Sequence, residues 1–298
     1  MESILSVNKL AFKIGISRQV LEDVAKNKTS HYKPFIKSEV KKDGSIKERK
    51  IDNPDKAIRQ IQKRINKTIL QPYCNKLPAY TTGSIKSRSI KDNATPHAGK
   101  QAVLAIDITN CFPSIDSSSV YNAYKNTFLC SPPVARLLTK LTTYGDRIPQ
   151  GAPTSPSLCN IVLEPLATKL NTIAVANKLS FTQYVDDLTF SGNKEDLLKA
   201  KPEILSEIQK SGFEINLKKL QMFNSNERMA ITGLVVNKTV GVGRKYIREV
   251  QRDIFRKKVS TAIIKGKIAF VGSVSKSRAK KLGYKLPNDK DKSVAKPE

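Results

Sequence analysis

Three acids carry the strongest chemical signal in this sequence. Asp107 closes the apolar run Val103-Leu104-Ala105-Ile106, and Asp186 and Asp187 stand side by side between two β-prone arms in Phe181–Gly192. Adjacent like charges at a turn raise each other's energy unless a cation shares them. Carboxylate oxygens are hard donors suited to Mg²⁺, which accepts a few of them and fills its shell with water and phosphate oxygens. Two such ions about 3.5–4 Å apart can activate an attacking oxygen and steady a leaving one in phosphoryl transfer. An Asp-Asp pair alone is also an ordinary solvated turn, so its meaning rests on its surroundings. Zinc and disulfide chemistry are not indicated. Cys74, Cys111, Cys130 and Cys159 contain no C-x-x-C pair, and His31 and His97 are the only histidines.

The elements that must hold these acids are partly readable. Residues 103–108 form a near-continuous apolar run, which fits a buried strand. Residues 181–192 fit a hairpin with the two acids at its tip. Ile58, Ile61, Ile65 and Ile69 recur at three- and four-residue steps and predict an amphipathic helix over 56–71. Residues 35–52 fit a hairpin turning at Asp43-Gly44. Helices are expected over 5–28, with Ser17 or Ser30 as caps, and over 117–144, 156–176, 195–210 and 244–259. Phe213–Leu217, Gln221–Phe223 and Ala230–Val236 are expected as short strands. Helices and strands interleave irregularly, so the fold class is α+β.

The chain has 298 residues and a net charge of +27. Residues 1–98 hold 21 Lys and Arg against 9 Asp and Glu; residues 238–298 hold 18 against 5; the stretch between them holds 14 against 12. A balanced centre between basic flanks suggests chemistry in the middle and a grip on a phosphate backbone at the ends. Solvated Lys-rich helices are the plain alternative. The N-terminus lacks the pattern of a signal peptide and no run approaches the roughly 20 apolar residues of a membrane span, so the expectation is a cytoplasmic protein. The polar tail after Pro287 is expected to be disordered.

The acids sit in a recognisable series of blocks. Tyr184-Val185-Asp186-Asp187 resembles the Y-x-D-D motif of reverse transcriptases, and Ala105–Ile115 resembles their first metal-binding block, D-x-x-x-x-F-x-S. Ile148–Pro156 resembles the P-Q-G-x-x-x-S-P block, and Gly212–Lys219 the G-x-x-x-N-x-x-K block. Asn93-Ala94-Thr95-Pro96-His97 resembles the N-A-x-x-H motif of retron reverse transcriptases, and Ile231-Thr232-Gly233 their V-T-G motif with Ile for Val. The resemblance covers about residues 45–260.

This resemblance implies a right-hand polymerase, with an antiparallel palm sheet flanked by helices. It implies N-terminal helices and fingers over 1–98, a palm over 99–237 with a fingers return at about 117–152, and a thumb and tail over 238–298. Asp107, Asp186 and Asp187 would be catalytic and, with Ile108, form the site of two Mg²⁺ ions. Phe112 would crowd a ribose 2′-hydroxyl, and Gln150 and Gly151 would lie against the incoming dNTP. Lys219 would assist departing pyrophosphate, or be a plain surface lysine. Arg49, or Lys47 in its place, would reach the triphosphate. Asn93 and His97 would shape an RNA-contacting surface, although a lone His is more often a structural hydrogen-bond partner. Arg244, Lys245, Tyr246, Arg248 and Arg252 would hold RNA.

The function so implied is RNA-directed DNA synthesis on a cognate retron noncoding RNA. Priming from an internal guanosine 2′-hydroxyl would give a branched RNA–cDNA hybrid (msDNA) used in antiphage defence. An effector protein and a host ribonuclease H are the further partners implied. The rivals are a group II intron or diversity-generating reverse transcriptase and a noncatalytic RNA-binding scaffold.

Overall fold

The computed structural model describes residues 3–40, 44–256 and 259–283. Ser6 and Ser17 cap two short helices, Val7–Ile14 and Arg18–Lys26, by accepting from the amides of Lys9 and Val20. Ser30 caps nothing; it lies in a short 3₁₀ turn and its hydroxyl donates to the Asn27 carbonyl. Next comes a long antiparallel hairpin, β1 (Tyr32–Val40) and β2 (Ile46–Pro54). Its expected turn residues Lys42 and Asp43 lie outside the described residues. The helix Lys56–Ile65 follows, capped by Asp55, and buries Ile58, Ile61 and Ile65 as their spacing predicts.

The hairpin is fastened at its base. The Asp52 amide donates to the Gln150 carbonyl at 2.8 Å, and the Asp52 carboxylate, 1% exposed, accepts from the Gln150 amide and the Arg147 guanidinium, the latter at 3.1 Å. Gly151 lies against the same strand with φ +125, and a Cβ there would stand 3.0 Å from Ile51 Cγ2. Gly fits that conformation and that gap; other residues do not.

The central sheet contains β3 (Ala102–Asp107), β4 (Ser180–Tyr184), β5 (Asp187–Gly192) and β6 (Gln221–Asn224), in the order β4-β5-β3-β6 with every neighbour antiparallel. Strand side chains alternate between faces. Leu104 and Ile106 therefore enter the main core, while Val103 enters a second, smaller one. The helices Ser155–Ala176 and Lys194–Lys210 supply Leu158, Leu170, Leu197 and Ile204 to the main core.

Two expectations need correction. The stretch 117–144 is two helical segments: Ser117–Asn122 runs into a π turn ending at Thr127, and a new helix starts at Pro132. Leu129 at φ +52 and the Pro132-Pro133 pair break the path. Phe213–Leu217 is not a strand; it makes one isolated bridge, Ile215 to Ile108.

The second core lies under the small sheet β7 (Ala230–Ile231), β8 (Leu234–Val235) and β9 (Gly241–Val242). The helix Arg244–Arg256 turns Val250, with Tyr246, Ile247 and Ile254, into this core. Its expected end near 259 crosses residues 257–258, which lie outside the described ones, as does the tail after Pro287. The helices Thr261–Val274 and Lys276–Lys281 add Ile268, Val271, Val274 and Ala279.

Replacing Arg147 by Gln leaves the buried Asp52 carboxylate without its cation. The expected result is a loss of roughly 2–3 kcal/mol of stability, the scale of a charged hydrogen bond, read from urea unfolding. An unchanged midpoint would show that the Asp52–Arg147 pair does not hold the hairpin base.

Candidate active site

The hairpin β4–β5 turns in two residues, Val185 and Asp186, because Tyr184 pairs directly with Asp187. Only the first of the two has positive φ, +58 at Val185. That is the type II′ pattern, whose first central position normally takes Gly. A β-branched residue in the left-handed region costs about 1–2 kcal/mol, so the surroundings must enforce it. Gln183 does so from below, its Nε2 donating to the Val185 carbonyl at 3.0 Å. Gly83 does so from the side: a Cβ at Gly83 would lie 2.5 Å from the Val185 amide nitrogen, so only Gly lets the two backbones meet.

This turn brings the acids together. Asp107 and Asp187 are cross-strand partners in the sheet, and the Ile108 amide donates to the Asp186 carbonyl at 3.2 Å. All three acids and Ile108 line one cleft of about 790 Å³. Burial pushes the Asp186 carboxyl above the usual range, and the Asp107 charge adds to this. Desolvation by the surrounding protein, then the charges of Asp186 and Asp107, push the Asp187 carboxyl up to about 6. Its side chain is nevertheless open to the cleft, so solvent screens part of the stability cost.

Asp107 is held differently. Its Oδ1 accepts from the Lys219 ammonium and its Oδ2 from the Asn216 amide at 3.3 Å. Lys219 is therefore an ion-pair partner of the site and not a plain surface lysine. Among the described residues, no three His, Cys, Asp or Glu side chains stand together as a ready-made metal cage. The donor chemistry still fits a hard divalent cation. The oxygens are carboxylates, and two of the acids resist ionisation because they are desolvated and lie near other acids. Asp107 would have to release the Lys219 ammonium to join them around a cation.

Across the cleft stand Lys47 and Arg49 from β2, and their positive charges act on Asp187 and Asp186 respectively. Phe112, half-buried, and Gln150 line the same cleft. Asn110 at φ +47 starts the short helix Cys111–Ser114 that presents Phe112. Gly151 packs on Ile51 beside Gln150. Arg244, Lys245, Arg248 and Arg252 are exposed on the helix Arg244–Arg256.

Two expected RNA contacts are corrected, and the third, Tyr246, also serves the core. Asn93 and His97 are 1% and 0% exposed and spend their side chains on internal hydrogen bonds. They form no RNA-contacting surface. Tyr246 is half-buried, with its ring edge-on to Phe270 at 5.4 Å, so it belongs to the second core. Sequence reasoning gave no role to Asn216, Gly83, Asp52 or Arg147. Asn216 had a signal, as the Asn of G-x-x-x-N-x-x-K. The other three act through contacts between distant segments, which no local spacing announces.

Known proteins resemble this chain over most of its length. The family described as reverse transcriptase (RNA-dependent DNA polymerase) matches residues 40–286. The retron Ec86 reverse transcriptase of Escherichia coli is 30% identical over 263 residues, covering 86% of this chain and 81% of that protein. The retron Se72 reverse transcriptase of Salmonella heidelberg (strain 579083-10) is 30% identical over 256 residues, covering 82% of this chain and 66% of its own length. Among solved structures, apo telomerase from Candida Tropicalis truncated from its C-terminal domain superimposes with a TM-score of 0.46 and 11% identity, covering 76% of this chain and 61% of that one, a likeness too slight to carry weight.

The raised carboxyls have a consequence for stability. A folded-state pKa above the unfolded value means that the native state binds the proton more tightly. Ionising Asp187 therefore costs stability progressively as pH rises from about 4, its unfolded value, to about 6, and the cost stays constant above that. In buffer free of divalent cations, Asp187→Asn should melt higher than the native chain at pH 7.5 and close to it at pH 4. A variant that melts lower at pH 7.5 would show that ionised Asp187 is not a destabilising group there.

Proposed function

The chain belongs to the reverse transcriptase (RNA-dependent DNA polymerase) family and groups with its retron members, and on that premise we propose that the cleft of Asp107, Asp186 and Asp187 extends a DNA strand on an RNA template. The observation that carries this reading is the direct pairing of Asp107 with Asp187 at a strained two-residue turn, facing a cationic hairpin. The family is divalent-metal dependent. Asp107, Asp186 and Asp187, with Ile108 beside them, would hold two Mg²⁺ ions. When bound, these ions would neutralise triphosphate charge and ease ionisation of the priming hydroxyl.

The chain's own residues do the rest. Lys47 and Arg49 reach the triphosphate from β2. Phe112 stands where a sugar 2′-hydroxyl would be crowded, which favours dNTPs. Gln150 and Gly151 form the wall held by Asp52. Lys219, released from Asp107, is placed to give a proton to departing pyrophosphate. Fingers over 1–98, palm over 99–237 and thumb over 238–298 follow as the working division, with the C-terminal helices packed on a second core that residues of the palm share. Arg244, Lys245, Arg248 and Arg252 would grip the phosphate backbone of a structured noncoding RNA, because A-form RNA hides its major-groove edges.

The same reading extends to priming from an internal guanosine 2′-hydroxyl, a branched RNA–cDNA product, antiphage defence with an effector protein, template removal by a host ribonuclease H, and a cytoplasmic setting. Among the described residues, no helix is long and apolar enough to cross a membrane.

The test supplies Mg²⁺, dNTPs and a primed RNA. The native chain should extend the primer. The double variant Asp186→Asn, Asp187→Asn should be slower by at least roughly 10²–10³-fold, the scale of removing one group that stabilises transition-state charge, while keeping its RNA affinity. If neither protein incorporates nucleotide although both bind RNA, a noncatalytic scaffold is the better reading. Phe112→Ala should raise rNTP incorporation by roughly 10–200-fold relative to dNTP.

Salt titration tests the grip separately. Changing Arg244, Lys245, Arg248 and Arg252 to Gln should flatten the log–log salt dependence of RNA binding by roughly 0.7–0.9 for each phosphate no longer neutralised. An unaltered slope would remove that helix from the RNA interface.

A further inference from the structure

The buried polar cluster around His97 lies outside the cleft, yet it grips the strands that carry the acids. His97 Nδ1 is 2.6 Å from Ser191 Oγ on β5, and Nε2 is 2.8 Å from Thr182 Oγ1 on β4. Thr182 pairs with Thr189, and Ser191 lies two residues further along β5. With a period of two, Thr182, Thr189 and Ser191 share one face of the sheet. Asp187, two residues before Thr189, shares it as well, and so does its partner Asp107. His97 thus holds both arms of the catalytic hairpin on the acid-bearing face, four residues from Asp187 along β5 (about 13 Å of strand).

The tautomer follows from the next bond. Thr182 Oγ1 donates to the Asn93 carbonyl at 3.3 Å. A hydroxyl has one proton to give, so it accepts from Nε2–H, and Nδ1 accepts from Ser191. Both ring nitrogens are then committed, and burial holds the imidazole neutral by lowering its pKa to about 3. A ring in that state is available neither as a base nor as an RNA contact.

Asn93 extends the clamp. Its Oδ1 accepts from Thr82 Oγ1 at 2.8 Å, and the Thr82 amide donates to the Gln183 carbonyl on β4 at 2.7 Å. Its Nδ2 donates to Thr232 Oγ1 at 3.4 Å. Thr232 follows β7 with φ +44, a conformation costly for a β-branched residue. Ala230, Ile231 and Thr232 border a second hollow of about 260 Å³, which Asp107 and Asp187 also line.

We propose that Asn93 and His97 are positioning residues that clamp the two arms of the β4–β5 hairpin and tie it to the Thr232 turn, thereby setting the carboxylates for a divalent cation. This rests on the polymerase reading of those carboxylates. It assigns the N-A-x-x-H segment an internal task in place of an RNA contact.

The experiment uses the full chain and three substitutions: Thr182→Val, which keeps shape and deletes the hydroxyl, Thr182→Ser, which keeps the hydroxyl, and His97→Gln. Mn²⁺ binding is followed by electron paramagnetic resonance without nucleotide, RNA binding by filter retention, and primer extension as kcat and KM. Thr182→Val and His97→Gln should weaken Mn²⁺ binding roughly tenfold, the lower end of what removing outer-shell support does to a metal site. They should lower kcat and leave the RNA Kd and the dNTP KM near native. Thr182→Ser should match the native chain throughout.

Weakened RNA binding with native Mn²⁺ affinity would overturn the proposal in favour of an RNA contact. Native behaviour of Thr182→Val in every assay would overturn it outright, whether or not His97→Gln folds. Mn²⁺ and RNA binding need no turnover, so a native chain that incorporates nothing counts against the polymerase reading alone.

Discussion

Bringing three carboxylates into one cleft is the constraint to which this molecule is built. Burial first, and then the charge of the neighbouring acids, raises the cost of ionising Asp186 and Asp187, and their raised pKa values are the visible result. The fold cannot remove the repulsion without removing the site, so it offsets it. Lys219 and Asn216 occupy Asp107, while Lys47 and Arg49 face the pair at the turn. The backbone cannot retreat either, because the two-residue turn and the Asp107–Asp187 register leave no slack. A slip of one residue would send Asp187 to the opposite face of the sheet. The register is fixed by burial: Leu104, Ile106, Leu188 and Phe190 point into the main core and would all be expelled by the same slip.

The charge distribution follows from the same demand at longer range. The cleft needs cations close by on β2, and a polyanionic substrate needs them along its path. Where the helix Arg244–Arg256 lines that path, as proposed above, its acids would weaken the grip, and both are turned to a lysine of the next helix. Glu249 and Asp253 both accept from Lys267, each at 2.6 Å, so the helix Arg244–Arg256 keeps Arg244, Lys245, Arg248 and Arg252 exposed while its two acids turn to the next helix and share one cation there.

Much of this was legible before any coordinates. The isoleucine spacing of 58–69 gave a helix that buries those residues, and the apolar run ending at Asp107 gave the central strand. Both signals are local and periodic. The acids were legible because two motifs, far apart in sequence, make sense only together. What failed was burial of polar groups. The resemblance pointed Asn93 and His97 toward an RNA surface; the plainer expectation for a lone His, a structural hydrogen-bond partner, is what His97 turns out to be, but nothing local shows that Thr82, Thr182, Ser191 and Thr232 come from four other segments to satisfy the two side chains. The absence of a strand at Phe213–Leu217 has the same origin, since pairing partners rather than propensity decide it, whereas the break before Pro132 did have a local signal in the Pro132-Pro133 pair.

The left-handed residues show how these layers connect. Asn110, Val185 and Thr232 all adopt positive φ without being glycine, and all lie in or beside the cleft region. Such conformations persist only where the surroundings over-determine them. At Val185 the determinants are the Gln183 amide and the backbone of Gly83; at Thr232 they include Asn93. The carbonyl of Gln183 accepts from Thr82, and Thr82 in turn donates to Asn93. The turn that presents the acids and the turn that borders the second hollow are therefore held by one connected set of buried hydrogen bonds. Relaxing the Val185 turn would leave Gln183 Nε2 unpaired, and relaxing the Thr232 turn would leave Asn93 Nδ2 unpaired, each costing about 1–3 kcal/mol, and these penalties help keep both strained turns in place.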